Sequence, residues 1–91
     1  MPSKDEMLSK AISSSSRRNI LKLLYKNPKT VTNISKSLNI STSLASKHLT
    51  LLDYLGIVEA EKKFPEKYYS IKLKGIKNLL DIYDELVKKL Q

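Results

Sequence analysis

Four residues, Leu38-Asn39-Ile40-Ser41, constrain this chain more than any other stretch. Before them, VTNISKSL carries Val31, Ile34 and Leu38 as an apolar stripe at helical spacing. After them, TSLASKHLTLLDYL repeats leucine at the same period. Asn39 stands where a left-handed residue closes a helix, and Ser41 where a hydroxyl caps the next one. Thr30 or Thr32 can cap the first of the pair. Two short helices joined by so tight a turn make a helix-turn-helix.

The second helix has an unusual polar face. At 100° per residue, Leu44, Ala45, Leu49, Leu51, Leu52 and Leu55 share one arc. Thr42, Ser43, Ser46, Lys47, Thr50, Asp53 and Tyr54 occupy the other. Exposed helix positions usually carry Glu, Lys, Gln or Ala, whereas Ser and Thr weaken a helix. Short hydroxyl side chains and one cation suit a groove about 12 Å wide, the width of the DNA major groove. Hydroxyls can meet base edges and phosphates, and amides near Ser41 to Ser43 attract phosphate. The alternative is a solvated face on which Ser and Thr are merely tolerated. His48 lies within the apolar arc, which predicts a half-buried, hydrogen-bonded imidazole, with a phosphate contact as the alternative.

Around this pair, Asp5 to Ile12 reads as a short helix with Met7, Leu8, Ala11 and Ile12 on one side. Four serines, Ser13 to Ser16, form a joint, and Ser16 or a neighbour caps RRNILKLLYKN, whose core spacing is Ile20, Leu21 and Leu24. Asn27-Pro28 stops that helix, because the residue before proline avoids the α region. After Gly56, IVEAEKK and KYYSIKL alternate as strands, with Val58, Ala60, Tyr69, Ile71 and Leu73 on one side and KKFPEK as the turn. The closing segment, GIKNLLDIYDELVKKLQ, is a helix with Ile76, Leu79, Leu80, Ile82, Tyr83, Leu86, Val87 and Leu90 as its apolar arc.

The chain has 91 residues, and a chain this short buries only about 60–65% of its unfolded surface. So thin a core cannot cover the whole stripe of the last helix. That helix is expected to pair with its counterpart in a twofold dimer, beside Met7, Leu8 and Ile12. Folding back onto its own core is the alternative. The formal charge of +8 points to a polyanion, and Arg17, Arg18, Lys22, Lys26 and Lys29 come with no acid among them. Arg17 and Arg18 either contact phosphate or pair with Asp5 or Glu6.

With no cysteine and one histidine, neither a thiolate zinc site nor a histidine cluster is expected, and no cofactor is called for. There is no nucleophile–base–acid set, and the two glycines, Gly56 and Gly75, form no phosphate-cradling loop, so an enzyme is not expected. No apolar run approaches 18 residues and no signal peptide is evident, so the expected setting is cytoplasmic and nucleoid-associated, away from membranes.

The stretch NISKSLNISTSLASKHLTLLDYLGIVEAEKKFPEKYYSIKLKG resembles the winged helix-turn-helix of the ArsR type. With SSRRNILKLLYKNPKTV in front, the likeness covers roughly residues 13 to 75, and ILKLL, ISTSLASKHLTLL and the LGIV-to-YYSI hairpin are its most specific pieces. The resemblance implies a mainly α fold with a small β-hairpin and a C-terminal dimerisation helix. It implies one domain over residues 1–91, with the helix-turn-helix at about 30–55, the wing at about 57–73 and the dimer helix at about 75–91. The implied DNA-facing residues are Thr42, Ser43, Ser46 and Lys47, to which the hydroxyl face adds Ser41 and Thr50 and the wing tip adds Lys62, Lys63 and Lys67. The expected dimer residues are Met7, Leu8, Ile12, Ile76, Leu79, Leu80, Tyr83, Leu86, Val87 and Leu90. Metal-sensing members carry cysteines where this chain reads TVTNISKSL, and its last helix has no histidine, so metal sensing is not implied. The implied function is a homodimeric transcriptional regulator on a palindromic double-stranded operator. Low-specificity coating of DNA, or a winged helix used only for protein contacts, are the alternatives.

Overall fold

The computed structural model describes residues 2–90. In chain order it contains α1 (Lys4–Ile12), α2 (Ser15–Lys26), α3 (Val31–Leu38), α4 (Thr42–Tyr54), β1 (Val58–Lys63), β2 (Glu66–Ile71) and α5 (Ile76–Lys89). Met1, and Gln91 at the end of the expected last helix, lie outside the described residues. This is a mainly α winged helix-turn-helix with a two-stranded antiparallel hairpin and a C-terminal helix. No described helix is long and apolar enough to cross a membrane.

Short polar residues start each of the first four helices. The hydroxyls of Ser3, Ser14, Thr30 and Ser41 accept from the backbone amides of Glu6, Arg17, Asn33 and Leu44 at 3.0–3.2 Å. Asn33 completes a capping box by accepting from the Thr30 amide (3.3 Å). Extended backbone at Asn27, ahead of Pro28, ends α2. Asn39 ends α3 in the left-handed region (φ 54°, ψ 47°), and the turn is pinned twice: Ile40 donates its amide to the Ser35 carbonyl (3.1 Å), and Ser35 Oγ donates to the Ile40 carbonyl (2.6 Å). Gly56 (φ 79°) supplies the sharp exit from α4 into the wing.

The core is one cluster. Ile20, Leu21 and Leu24 of α2 meet Ile34 of α3, Ala45, Leu49 and Leu52 of α4, Val58 and Tyr69 of the hairpin, and Ile76 and Leu80 of α5. The hairpin runs in register from Val58↔Ile71 to Lys63↔Glu66, leaving Phe64 and Pro65 as a two-residue turn. A further bridge joins it to the α2–α3 connection, where the Lys29 and Tyr69 amides and carbonyls exchange bonds of 3.0 and 2.8 Å. A single residue has no alternation to read, so this bridge left no trace in the sequence.

Three placements differ from expectation. Leu73, expected inward, is 46% exposed, because the amides of Lys72 and Leu73 both donate to the Ile57 carbonyl (2.9 and 3.1 Å) and turn the chain out of the ladder after Ile71. Leu44, on the apolar arc of α4, is 40% exposed. The whole segment Ser41–Leu44 is exposed, so the first turn of α4 stands proud of the packed body. Ile76 and Leu80, expected at a dimer face, are almost fully buried in their own core, since the first turns of α5 pack there.

The left-handed turn residue gives a stability test. Asn39→Ala should cost about 1–2 kcal/mol in urea unfolding, because a Cβ without a polar group is disfavoured at this backbone conformation, whereas Asn39→Gly should be nearly neutral.

Candidate nucleic-acid interface

The face of α4 follows from what its other side buries. Ala45, Leu49 and Leu52 are fully buried, and this fixes Thr42, Ser43, Ser46, Lys47 and Thr50 in solvent. Among the described residues, none of those five side chains is committed to a hydrogen bond or ion pair. Ser41 is also exposed, but its Oγ accepts from the Leu44 amide and is committed to capping. No acid lies in the first turn of α4, so nothing offsets the partial positive charge of its amides. Asp53 shares the exposed face near the far end. The result is a narrow face of hydroxyl donors and acceptors with one ammonium, able to bond base edges or phosphate oxygens.

Leu44 lies on the apolar arc yet is exposed, because the first turn of α4 extends past the packed body. Its position in the first turn was the available signal. Ser35 was also missed: it is buried and positions α4 by bonding the turn. A serine directly after core residue Ile34 was its only mark in the sequence.

Arg17 and Arg18 are engaged within the chain, and the expected pairing with Asp5 or Glu6 is not made among the described residues. Arg17 closes the C-terminus of α1, donating Nε to the Ala11 carbonyl (3.2 Å) and Nη2 to the Lys10 carbonyl (2.7 Å) and Ser13 Oγ (3.3 Å). Arg18 Nη1 donates to the Ile12 carbonyl (2.6 Å), and its guanidinium lies 4.5 Å from the centre of the Tyr83 ring. A helix end presents unpaired carbonyls, and here the guanidinium forks meet them together with Ser13 Oγ, which donates to the Lys10 carbonyl (3.0 Å). Lys22 pairs with Asp84 (2.8 Å), and Lys29 donates to Asn27 Oδ1 (2.5 Å). Of the basic stretch, only Lys26 is exposed without a partner among the described residues.

On the wing, Lys62, Lys63 and Lys67 are all exposed. Lys62 faces Lys67 directly across the ladder, Lys63 faces Glu66, and the Lys67 ammonium lies 5.3 Å from the centre of the Tyr69 ring. Glu59, Glu61 and Glu66 alternate with these cations and weaken their field.

His48, on the apolar arc of α4, is half-buried, with Nδ1 3.4 Å from Arg17 Nη1. Burial first, and then the neighbouring guanidinium, hold its pKa below the ordinary 6.5. Arg17 thus touches three elements: the end of α1, its own α2, and α4.

A family model described as "Bacterial regulatory protein, arsR family" matches residues 14–60. No curated protein sequence matches. Among solved structures, HlyU from Vibrio cholerae is 29% identical, with a TM-score of 0.80 over 91% of this chain and 90% of that one. The winged helix-turn-helix DNA-binding domain of Mb0332 from Mycobacterium bovis, described as homodimeric, is 24% identical, with a TM-score of 0.83 over 94% of this chain and 80% of that one. NolR from Sinorhizobium fredii is 23% identical, with a TM-score of 0.83 over 91% and 83%. The last two, each less than a quarter identical, share the fold.

The depressed pKa of His48 sets a direction for pH dependence. An unfolded histidine binds its proton more readily than the folded one, so this group's contribution is intact above pH 6.5 and is lost as pH falls through the folded value. The urea midpoint should therefore drop between about pH 7.5 and about pH 5.5, and His48→Gln should flatten that drop. Identical slopes for the two proteins would remove His48 from the account.

Proposed function

The chain belongs to the ArsR family of bacterial regulatory proteins, winged-helix DNA-binding transcriptional regulators, and from that premise we propose that it binds one palindromic double-stranded operator as a symmetric homodimer. The observation that carries this reading is the uncommitted hydroxyl-and-ammonium face of α4. In the proposed complex, Thr42, Ser43, Ser46, Lys47 and Thr50 enter the major groove. Lys62, Lys63 and Lys67 of the wing lie on the backbone as point charges. The helix-turn-helix at about 30–55, the wing at about 57–73 and the C-terminal helix from about 75 then act as one domain.

Dimerisation rests on α5 and α1. Leu79, Ile82, Leu86 and Val87 of α5 and Leu90 at its C-cap are between 36% and 87% exposed, and Leu8 of α1 and Leu73 share a small apolar hollow with Leu79. A continuous apolar surface of this kind marks an interaction site. The Mycobacterium bovis domain is described as homodimeric, which favours a second copy as the occupant here. The interface we propose is Leu8, Leu73, Leu79, Ile82, Leu86, Val87 and Leu90, with Met7, Ile12 and Tyr83 half-buried at its edge. Twofold pairing through these helices would set two α4 helices about 34 Å apart, on successive turns of one face of the duplex.

Low-specificity coating of DNA is the second reading. Its support is the net charge of +8, and Lys22 on Asp84 is the one ion pair among the described residues, so the hydroxyl face of α4, suited to base edges, is what favours specific readout over coating. Selecting DNA from a random pool should recover an inverted repeat bound at least about 10³-fold tighter than random duplex at fixed salt. A ratio below about tenfold would sink specific readout. Ser43→Ala and Lys47→Ala should each weaken operator binding by roughly five- to hundredfold while changing random-duplex binding far less. For the dimer, light scattering should give twice the 10.4 kDa chain mass, and Leu86→Glu should give a folded monomer that has lost operator binding.

A further inference from the structure

The wing carries a feature that neither the lysine contacts nor the dimer uses. Phe64, the sole phenylalanine of the chain, is 89% exposed at the extreme tip of the hairpin, next to Pro65. Other large exposed apolar side chains, such as Leu79 and Leu86, lie on the face proposed to pair. The tip, by contrast, is the part of the wing farthest from the core: exposure rises along both strands from Val58 and Tyr69 toward Lys63 and Glu66.

We propose that Phe64, backed by Pro65, is an apolar wedge that enters the DNA minor groove and partly unstacks one base step on each side of the operator. This rests on the DNA-binding reading of the chain. Three observations support it. First, the ring ends a two-residue turn, so the hairpin narrows to its minimum width there, and the minor groove is only about 6 Å across. Second, Lys62 and Lys67 are paired directly across the ladder, an arrangement that like charges disfavour. Two phosphate strands bordering a groove would relieve that repulsion while the ring lies between them. Third, a ring this exposed gains no burial in the free protein, whereas base faces offer a flat apolar surface.

Wedges of this type kink the duplex by about 20–90° toward the major groove. The step entered should be a flexible pyrimidine–purine step, TA or CA, which unstacks at least cost. The wing would then contribute sequence preference at a position where no hydrogen bond is made, unlike its lysines. Two wings on a symmetric dimer would impose two bends in phase, drawing the operator around the protein.

The test uses the whole chain and a selected operator with 2-aminopurine moved stepwise through both flanks. Wild type should raise emission at one flanking step in each half-site and bend the duplex, as read by energy transfer between its ends. Phe64→Ala should bind roughly tenfold or more weakly, with no rise in emission and a smaller bend. Phe64→Leu, which keeps an apolar wedge, should retain part of both signals. The substituted side chain is in solvent, so folding is unaffected, and an unchanged urea midpoint checks this. Tight operator binding by wild type with flat emission throughout overturns the wedge alone. Full emission and bend in Phe64→Ala does the same. Absence of binding to any duplex overturns the DNA reading and the wedge together.

Discussion

Everything that α4 can do depends on one packing contact, the row Ala45, Leu49 and Leu52 set into the core formed by α2 and α3. Fully burying a leucine is worth about 1.5–3 kcal/mol, so rolling α4 to hide its hydroxyls would expose two leucines and forfeit several kcal/mol. Propensity pulls the other way, since serines and threonines lower helix stability by a few tenths of a kcal/mol each. Burial outweighs propensity here. The helix therefore keeps its form and orientation despite a poor helix-forming face, and that face is left for another molecule.

The helix-turn-helix was legible because its signals are local. Thr30, Asn39 and Ser41 each act on backbone groups within a few residues, and each does what its residue type implies. Leu44 and Leu73 were misplaced for a shared reason: periodicity assigns a direction to a side chain but cannot say where the packed body stops. Leu44 points the right way from a turn that extends past the core, and Leu73 follows a strand that has already left its ladder. The stripe of α5 poses the same difficulty on a larger scale. Ile76 and Leu80 carry the same hydrophobic mark as Leu79 and Leu86, yet the first pair serves the chain's own core and the second stays bare.

Charge was the least transparent property. A run of Arg17, Arg18, Lys22, Lys26 and Lys29 with no acid reads as a patch for polyanions, because a sequence gives the sign of a charge without its partner. The partners lie elsewhere in the chain: backbone carbonyls of Lys10, Ala11 and Ile12, the Asp84 carboxylate and the face of Tyr83. Carbonyl acceptors are invisible to any count of acids and bases. Two arginines directly after a serine-rich joint, where one helix has just ended and another begins, are placed to reach them.

Those partners also link the elements on either side of α2. Arg18 on Tyr83 and Lys22 on Asp84 tie α2 to α5, while Arg17 ties the end of α1 and the start of α2 to His48 on α4. The helices bearing the exposed apolar stripe are thus joined to the reading helix through the first two turns of α2. Lys22 and Asp84 are each about 40% exposed, and a pair in that setting contributes little stability by itself. The guanidinium contacts are different, because they satisfy carbonyls at the end of α1, where the helix itself supplies too few donors. A shift of α1 against α2 would break them and move Arg17 away from the His48 imidazole on α4. In the proposed dimer, the spacing of the two α4 helices would depend on the ends of α1 and α2 as well as on the exposed stripe, with Arg17 and Arg18 as the fasteners between them.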